Sequence, residues 1–306
     1  MAEPSDPGSA PTTIVSRTSR DVIGVQGPDA VAYLQGQLSQ DVASMSVGDV
    51  AWTFVLAPQG KVEGWGRVAR IGDDAFEVVA DAGAGGAWDA RLRRFLLRTR
   101  AEVAVVVDVP AVVVRGGGAA DVVVATGDPR WRAAGWPTVE GFDLVDVSSS
   151  PAADLDAVAA EAVRAGAVGA DADALEVWRI RAGVPAWGAE IDGDTIPATL
   201  GQWAIDASVS FTKGCYTGQE LVARIDSRGG NVPRLLHVVE VAGPAPDPGT
   251  PLVADDGSAA GEVTSSAADG GGSVALAFVP RGVEVPDDGR AVTVGGVPGI
   301  LRRLPG

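Results

Sequence analysis

The chain has 306 residues, 46% of them hydrophobic, with 40 acidic and 24 basic side chains and a formal net charge of -16. This length fits about two domains and this hydrophobic fraction supplies a core, while the acidic balance argues against tight, sequence-independent nucleic-acid binding, which rests on Lys and Arg neutralising phosphates. One cysteine and one histidine exclude a disulfide framework and a His/Cys zinc site within one chain, and the cysteine usage fits a reducing cytoplasm.

Residues 1–18 read as a disordered tail: the first 13 are rich in Pro, Ser, Gly and Ala and lack the basic start and apolar segment of a secretory signal. No run nears the roughly 18 consecutive apolar residues of a membrane-spanning helix, so no membrane partner is expected. Val22-Ile23-Gly24-Val25 is a first strand, and Gly27-Pro28-Asp29 opens a helix with Val31 and Leu34 on its apolar stripe. A meander follows over 52–57, 62–71 and 76–80, with turns at Pro58-Gln59-Gly60-Lys61 and Gly72-Asp73-Asp74. Residues 88–97 read as a helix, 103–107 as a buried strand, 112–114 and 122–125 as further strands, and 153–165 and 172–181 as helices. This mixed order predicts an α+β body over 19–230 rather than a doubly wound sheet. Arg91, Arg93, Arg94, Arg98 and Arg100 fit the solvated face of an amphipathic helix, a local basic groove being the alternative.

After Gly229-Gly230 the pattern changes. Short strands over 235–241, 261–264, 274–279 and 292–301, separated by Gly, Pro and Asp turns, predict a small β-barrel or sandwich over 231–306. His237 reads as an ordinary strand residue, and the absence of a Gly-x-Ser-x-Gly elbow weakens any Ser-His-Asp triad built on it. Gly116-Gly117-Gly118 and Gly270-Gly271-Gly272 are loop tips; neither fits a P-loop, so nucleotide cofactors gain no support.

Two segments carry chemistry. Lys213-Gly214-Cys215-Tyr216-Thr217-Gly218-Gln219-Glu220 sets the sole cysteine between glycines, beside a lysine, at the mouth of a helix that continues through Arg224 with Leu221, Val222 and Ile225 on one side. A nearby cation and a helix N-terminus both favour the thiolate; a small inert hydrophobe is the competing reading of Cys215. Gln35-Gly36-Gln37-Leu38-Ser39-Gln40-Asp41 collects amides and a carboxylate behind a glycine. These either bind a heteroaromatic ligand or cap a helix end and organise a turn.

The octapeptide from Lys213 to Glu220 closely resembles the signature of the YgfZ family of folate-binding proteins, related to the T-protein (aminomethyltransferase) of the glycine cleavage system. The segment 34–41, the turn at 58–61, Arg179-Ile180-Arg181-Ala182-Gly183-Val184-Pro185, Ile196-Pro197 and Arg234 resemble further family segments in the same order, over about residues 20–280. The resemblance implies a T-protein-like folate-binding fold: two interwoven α+β subdomains and a C-terminal β-barrel around a central channel that takes tetrahydrofolate. It also implies an accessory role in iron–sulfur cluster assembly or repair, including clusters of radical-SAM enzymes that modify tRNA. Iron–sulfur client proteins or assembly factors would be its partners, without direct nucleic-acid contact.

By the same resemblance, Cys215 and Lys213 are the candidate reactive pair. Gln35, Gln37, Asp41, Arg181, Gln219 and Glu220 line the folate channel, Tyr216 or Trp178 stacks on the pterin, and Lys213 or Arg224 pairs with the glutamate tail. Glu220 equally reads as a first-turn carboxylate favoured by the helix dipole. Arg181 stands where the T-protein carries a folate-contacting Glu, and the T-protein lacks the signature cysteine; both departures argue against aminomethyl transfer in glycine cleavage. A one-carbon transferase using Cys215 as nucleophile is the competing reading, a non-catalytic scaffold a third, and Lys213, Arg228 and Arg234 offer a docking face for an acidic partner. One thiolate donates one cluster ligand, so no permanently bound [4Fe–4S] cluster is expected.

Overall fold

The computed structural model describes residues 12–146 and 153–305. The chain runs β1 (Ile14–Gln26), α1 (Ala30–Gln37), β2 (Val50–Leu56), β3 (Val62–Gly72), β4 (Ala75–Asp81), α2 (Gly85–Arg93) and β5 (Glu102–Arg115). It continues through α3 (Ala119–Thr126), β6 (Arg132–Ala133), β7 (Gly141–Val145), α4 (Ala153–Arg164), β8 (Val168–Ala170) and α5 (Ala172–Arg181). A 3-10 turn (Pro197–Leu200), α6 (Gln202–Ser208) and α7 (Gln219–Ser227) lead to β9 (Arg234–Val241), β10 (Pro251–Ala254), β11 (Ala259–Asp269), β12 (Gly272–Pro280), β13 (Arg290–Val294) and β14 (Val297–Arg303).

One sheet, ordered β2-β3-β4-β1-β5-β7-β6 with β8 parallel to β1, carries the body. Its two longest strands are shared between two lobes. The first half of β1 pairs with the second half of β5, which continues to β7; the second half of β1 lies between β4 and the first half of β5. A register shift between Arg20 and Val22 divides the halves. Buried Asp21 holds that irregularity, accepting from Gly85 N–H at 2.7 Å and Asp108 N–H at 3.0 Å. On one lobe α1 and α2 bury Leu34, Trp88 and Leu92 against Ile23, Val68 and Val78; on the other α3 and α4 bury Val122, Leu155 and Ala162 against Val112, Val114 and Leu144. The lobes are therefore interwoven through continuous strands. The C-terminal strands close a six-stranded barrel, β10-β11-β12-β9-β14-β13. The barrel's outer face packs Leu236, Val238, Leu276 and Phe278 against α5, α6 and the body strands through Ile180, Ile205 and Trp65.

Several expectations change. Residues 14–18, placed in the tail, form the start of β1 with Ile14 and Val15 buried; residues 1–11 lie outside the described residues. The run 103–107 is strand, but only Val103 is buried: Val106 and Val107 are 51% and 57% exposed. The first half of β5 pairs only with β1 among the described residues, so it forms a sheet edge. Residues 122–125 are helical. Local β-propensity yields to packing here, with Ala119 and Val122 one turn apart on the core side and Gly127, at φ 67°, ending α3 in the left-handed region. Arg91 leaves the expected solvated face: it is buried, donating to the Leu56 carbonyl at 3.1 and 3.0 Å and to Gln37 Oε1 at 2.8 Å, and paired with Glu63 at 2.7 Å. Among the described residues no helix is long and apolar enough to cross a membrane.

Candidate functional site

The two chemistry-bearing segments meet. Lys213 is buried, and its ammonium donates to the carbonyls of Gln35, Leu38 and Gln40, each at 2.7 Å. The end of α1 leaves carbonyls without intrahelical partners, and this lysine satisfies them from 173 or more residues away. Burial pulls its pKa down to about 8, with Asp41 opposing. Thr217 N–H donates to Gly36 O at 3.2 Å. Gly218 sits at φ 83°, and a Cβ there would fall 2.6 Å from the Ala57 carbonyl, so the loop needs glycine to press against the 58–61 turn. Cys215 is left exposed on this clamped loop.

The three donors of Lys213 are committed to backbone carbonyls, so it acts as the latch of the cysteine loop. The Gln35–Asp41 amides serve the turn: Gln35 Nε2 donates to Asp41 Oδ1 at 2.8 Å while its Oε1 accepts from Ala43 N–H at 3.1 Å, and Gln37 Oε1 accepts from Arg91. Tyr216 is buried under the Lys213 ammonium, 5.2 Å from ring centroid to Nζ, and burial pushes its hydroxyl up to about 12. Gln219 is half-buried at the start of α7, Glu220 is exposed in its first turn, and exposed Arg224 makes no ion pair among the described residues.

A second feature lies where the two lobes meet α5: a cavity of about 290 Å³ opening at the middle of β1. Four tryptophans line it, Trp52, Trp65, Trp136 and Trp187. Trp52 and Trp65 stack on each other at 4.1 Å, and Arg115 covers one face of Trp136 at 4.2 Å. Arg17, Arg20, Arg67 and Arg179 face it with Asp81, Asp143 and Glu176. Four guanidiniums against three carboxylates give this hollow a basic bias within a chain of net charge -16. None of the eleven residues singled out from the sequence lines it. On α5, helical spacing puts Ala172, Leu175, Glu176 and Arg179 on the cavity face, whereas Trp178 and Arg181 lie off it. Arg181 instead pairs with Asp269 of β11, its Nε 2.7 Å from Oδ2.

The cavity walls are held by two buried charge networks. Asp143 accepts from Arg115 at 2.5 Å and from Arg67, with Arg20 at 3.9 Å. Burial pushes the Asp143 carboxyl up, but Arg115, Arg67 and Arg20 override it and hold it well below the usual carboxylate range. Arg179 bonds the Val184 carbonyl at 2.6 Å, Glu190 at 3.1 Å, Ser265 Oγ at 2.7 Å and Glu176 at 2.8 Å. Burial disfavours its charge, yet Glu176, Glu190 and Asp81 raise its pKa above the ordinary arginine value.

Cavity and cysteine loop share a wall. Trp65 Nε1 donates to Ser208 Oγ at 3.0 Å, and Ser39 Oγ donates to the Ser208 carbonyl at 2.6 Å. Gln40 Nε2 donates to the Trp52 carbonyl at 3.3 Å, while the Gln40 carbonyl takes one of the three Lys213 bonds.

No protein-family model matches the chain. It is 29% identical over 286 residues to a tRNA-modifying protein YgfZ from Vibrio vulnificus strain YJ016, covering 86% of this chain and 82% of that one. It is 26% identical over 252 residues to the tRNA-modifying protein YgfZ of Serratia proteamaculans strain 568, covering 80% and 76%. The chain is thus similar to YgfZ proteins over most of its length. In fold the chain is similar to the solved glycine cleavage system aminomethyltransferase T of Bartonella henselae, with a TM-score of 0.75, 20% identity, and coverage of 96% of this chain and 86% of that one. At that identity the match establishes the mixed α+β fold with its terminal barrel. In this chain the cysteine loop and the central cavity are adjacent but separate surfaces, joined through Ser39, Gln40 and Ser208.

Proposed function

We propose that this chain is a tetrahydrofolate-binding accessory protein supporting iron–sulfur cluster assembly or repair, including clusters of tRNA-modifying radical-SAM enzymes, with Cys215 as its reactive group. The observation that carries the reading is the central cavity, whose aromatic walls and polar groups suit a flat heteroaromatic head with an anionic tail. Its volume of about 290 Å³ lies near the lower end of ligand pockets. The residues fit the cofactor. Trp136 and Trp187 offer ring faces, Glu176 offers a carboxylate to amino-pyrimidine N–H groups, and Arg17 and Arg20 offer guanidiniums to the tail carboxylates. The carboxylate that a pterin needs thus comes from Glu176, earlier on α5, and the Arg-for-Glu departure at 181 does not remove it. When bound, tetrahydrofolate supplies one-carbon carriage. The chain's own residues bind it, and Lys213 clamps the adjacent loop so that Cys215 faces outward, where a client can reach the thiol. The names of the YgfZ relatives support placing this role in tRNA modification.

The test is complementation of cells lacking their own copy, reading tRNA methylthiolation. Cys215→Ser is expected to accumulate to the wild-type level, because the side chain is exposed, and to leave methylthiolation at the level of the empty strain. Wild-type methylthiolation by Cys215→Ser would overturn the thiol role.

A further inference from the structure

The open end of the C-terminal barrel holds a feature that the cavity between the lobes does not explain. Along β9, Leu236 and Val238 pack outward on the body, whereas Val239 and Val241 fill the barrel interior. Strand alternation therefore points His237 inward. On β14, Leu301 fills the interior and Arg303, two residues on, shares its face. Small-barrel interiors are normally filled by apolar side chains; at this open end two cationisable groups stand opposite each other, buried His237 paired in register with largely exposed Arg303.

Both line a cavity of about 380 Å³ at this end, with Leu235, Val279, Val283 and Val285 among its apolar walls. Arg281 and Glu284 also line it. Asp287 reaches Arg303 at 3.3 Å, and Arg281 is bonded to Asn231. His237 is only 8% exposed. Its Nδ1 lies 3.1 Å from the Leu235 carbonyl, which makes Nδ1 the protonated nitrogen of the neutral ring. Nε2 then carries the lone pair, without a hydrogen-bond partner among the described residues. A buried imidazole with one nitrogen open to a cavity, beside a guanidinium and above apolar walls, is a built recognition site.

We propose that the open end of the barrel binds a small organic anion, its carboxylate or phosphate head on Arg303 and His237 and its apolar body against Leu235, Val279, Val283 and Val285. An oxyanion beside Nε2 requires a donor there, so binding takes up one proton from solvent onto His237. Affinity accordingly falls as pH rises through the imidazole titration. The charged groups around the ring are Arg303 with its partner Asp287 on one side and Arg281 with Glu284 on the other. The site depends on neither folate binding nor Cys215.

Because the chain has a single histidine, the ¹⁵N imidazole signals of the full protein report this site alone. The experiment titrates those signals with hexanoate and with inorganic phosphate at constant ionic strength, with chloride as control. Saturating hexanoate or phosphate is expected to raise the imidazole pKa by about 1, tenfold in proton affinity. A response to hexanoate alone identifies a carboxylate on an apolar body, and a response to phosphate alone identifies a phosphate head. Arg303→Gln, or Arg281→Gln should the first disturb the barrel, is expected to weaken binding at least tenfold. No response beyond that to chloride, or wild-type affinity in both variants, would overturn the proposal.

Discussion

Glu190→Ala is expected to lower the unfolding free energy by about 3–5 kcal/mol, the usual result of removing one partner from a buried ion pair. Glu190 lies in the turn after α5 and is 2% exposed. Its Oε1 accepts from Thr264 Oγ1 at 2.5 Å and Ser265 Oγ at 2.7 Å on β11, and its Oε2 accepts from Ala186 N–H at 2.9 Å and from Arg179. One carboxylate thus ties the cavity helix, the following turn and the barrel. Alanine leaves the Ser265 hydroxyl, an amide and part of the Arg179 charge without an acceptor, while Thr264 keeps the Leu276 carbonyl at 3.1 Å. Chemical denaturation checks this, and a loss below about 1 kcal/mol would show that solvent or Glu176 replaces the network.

Asp143→Asn should be similarly costly, about 3–5 kcal/mol, and should change the acid limb of the stability curve. Asp143 is buried, as are Arg67 and Arg115, so asparagine leaves two buried guanidiniums without a counter-charge. The carboxyl titrates lower in the folded state than in the unfolded chain. Its contribution is therefore fully present above the unfolded value of about 4 and is lost as pH falls toward the folded one. Wild-type stability should decline below about pH 4, and the variant should start lower with a flatter acid limb. Parallel acid limbs in the two proteins would contradict this assignment.

The elements legible in the sequence were those whose local chemistry agrees with their packing. Strands β2 to β4 are separated by Pro58-Gln59-Gly60-Lys61 and Gly72-Asp73-Asp74, and α5 carries Asp171 as an N-cap bonded to Ala174 N–H at 2.9 Å. Val122 to Ala125 misled because valine favours strands, although Gly118 and Gly127 bracket a helix. Val103 to Val107 misled because an apolar run does not reveal whether a second strand will cover it. The signature loop and the Gln35–Asp41 segment were visible as motifs, and their meeting through Lys213 required the fold. The cavity was not visible as a motif. Trp52, Trp65, Trp136 and Trp187 come from separate segments, and each alone reads as core. The one local clue was the 3.6-residue period of α5, which puts Glu176 and Arg179 on one face and Arg181 on another.

Tetrahydrofolate binding in the cavity between the lobes is the property on which the proposed function rests. The direct measurement is thermal unfolding with and without anaerobic tetrahydrofolate, on wild type, Glu176→Gln, Trp187→Ala, Arg181→Ala and Cys215→Ser. Ligand at about 100 times its dissociation constant stabilises the native state by about 2.7 kcal/mol, a rise of roughly 4 °C for a chain of this size. That rise is expected in wild type, Arg181→Ala and Cys215→Ser, and at most half of it in Glu176→Gln and Trp187→Ala. No rise in wild type, or a rise lost in Arg181→Ala and kept in both cavity variants, would contradict binding in this cavity.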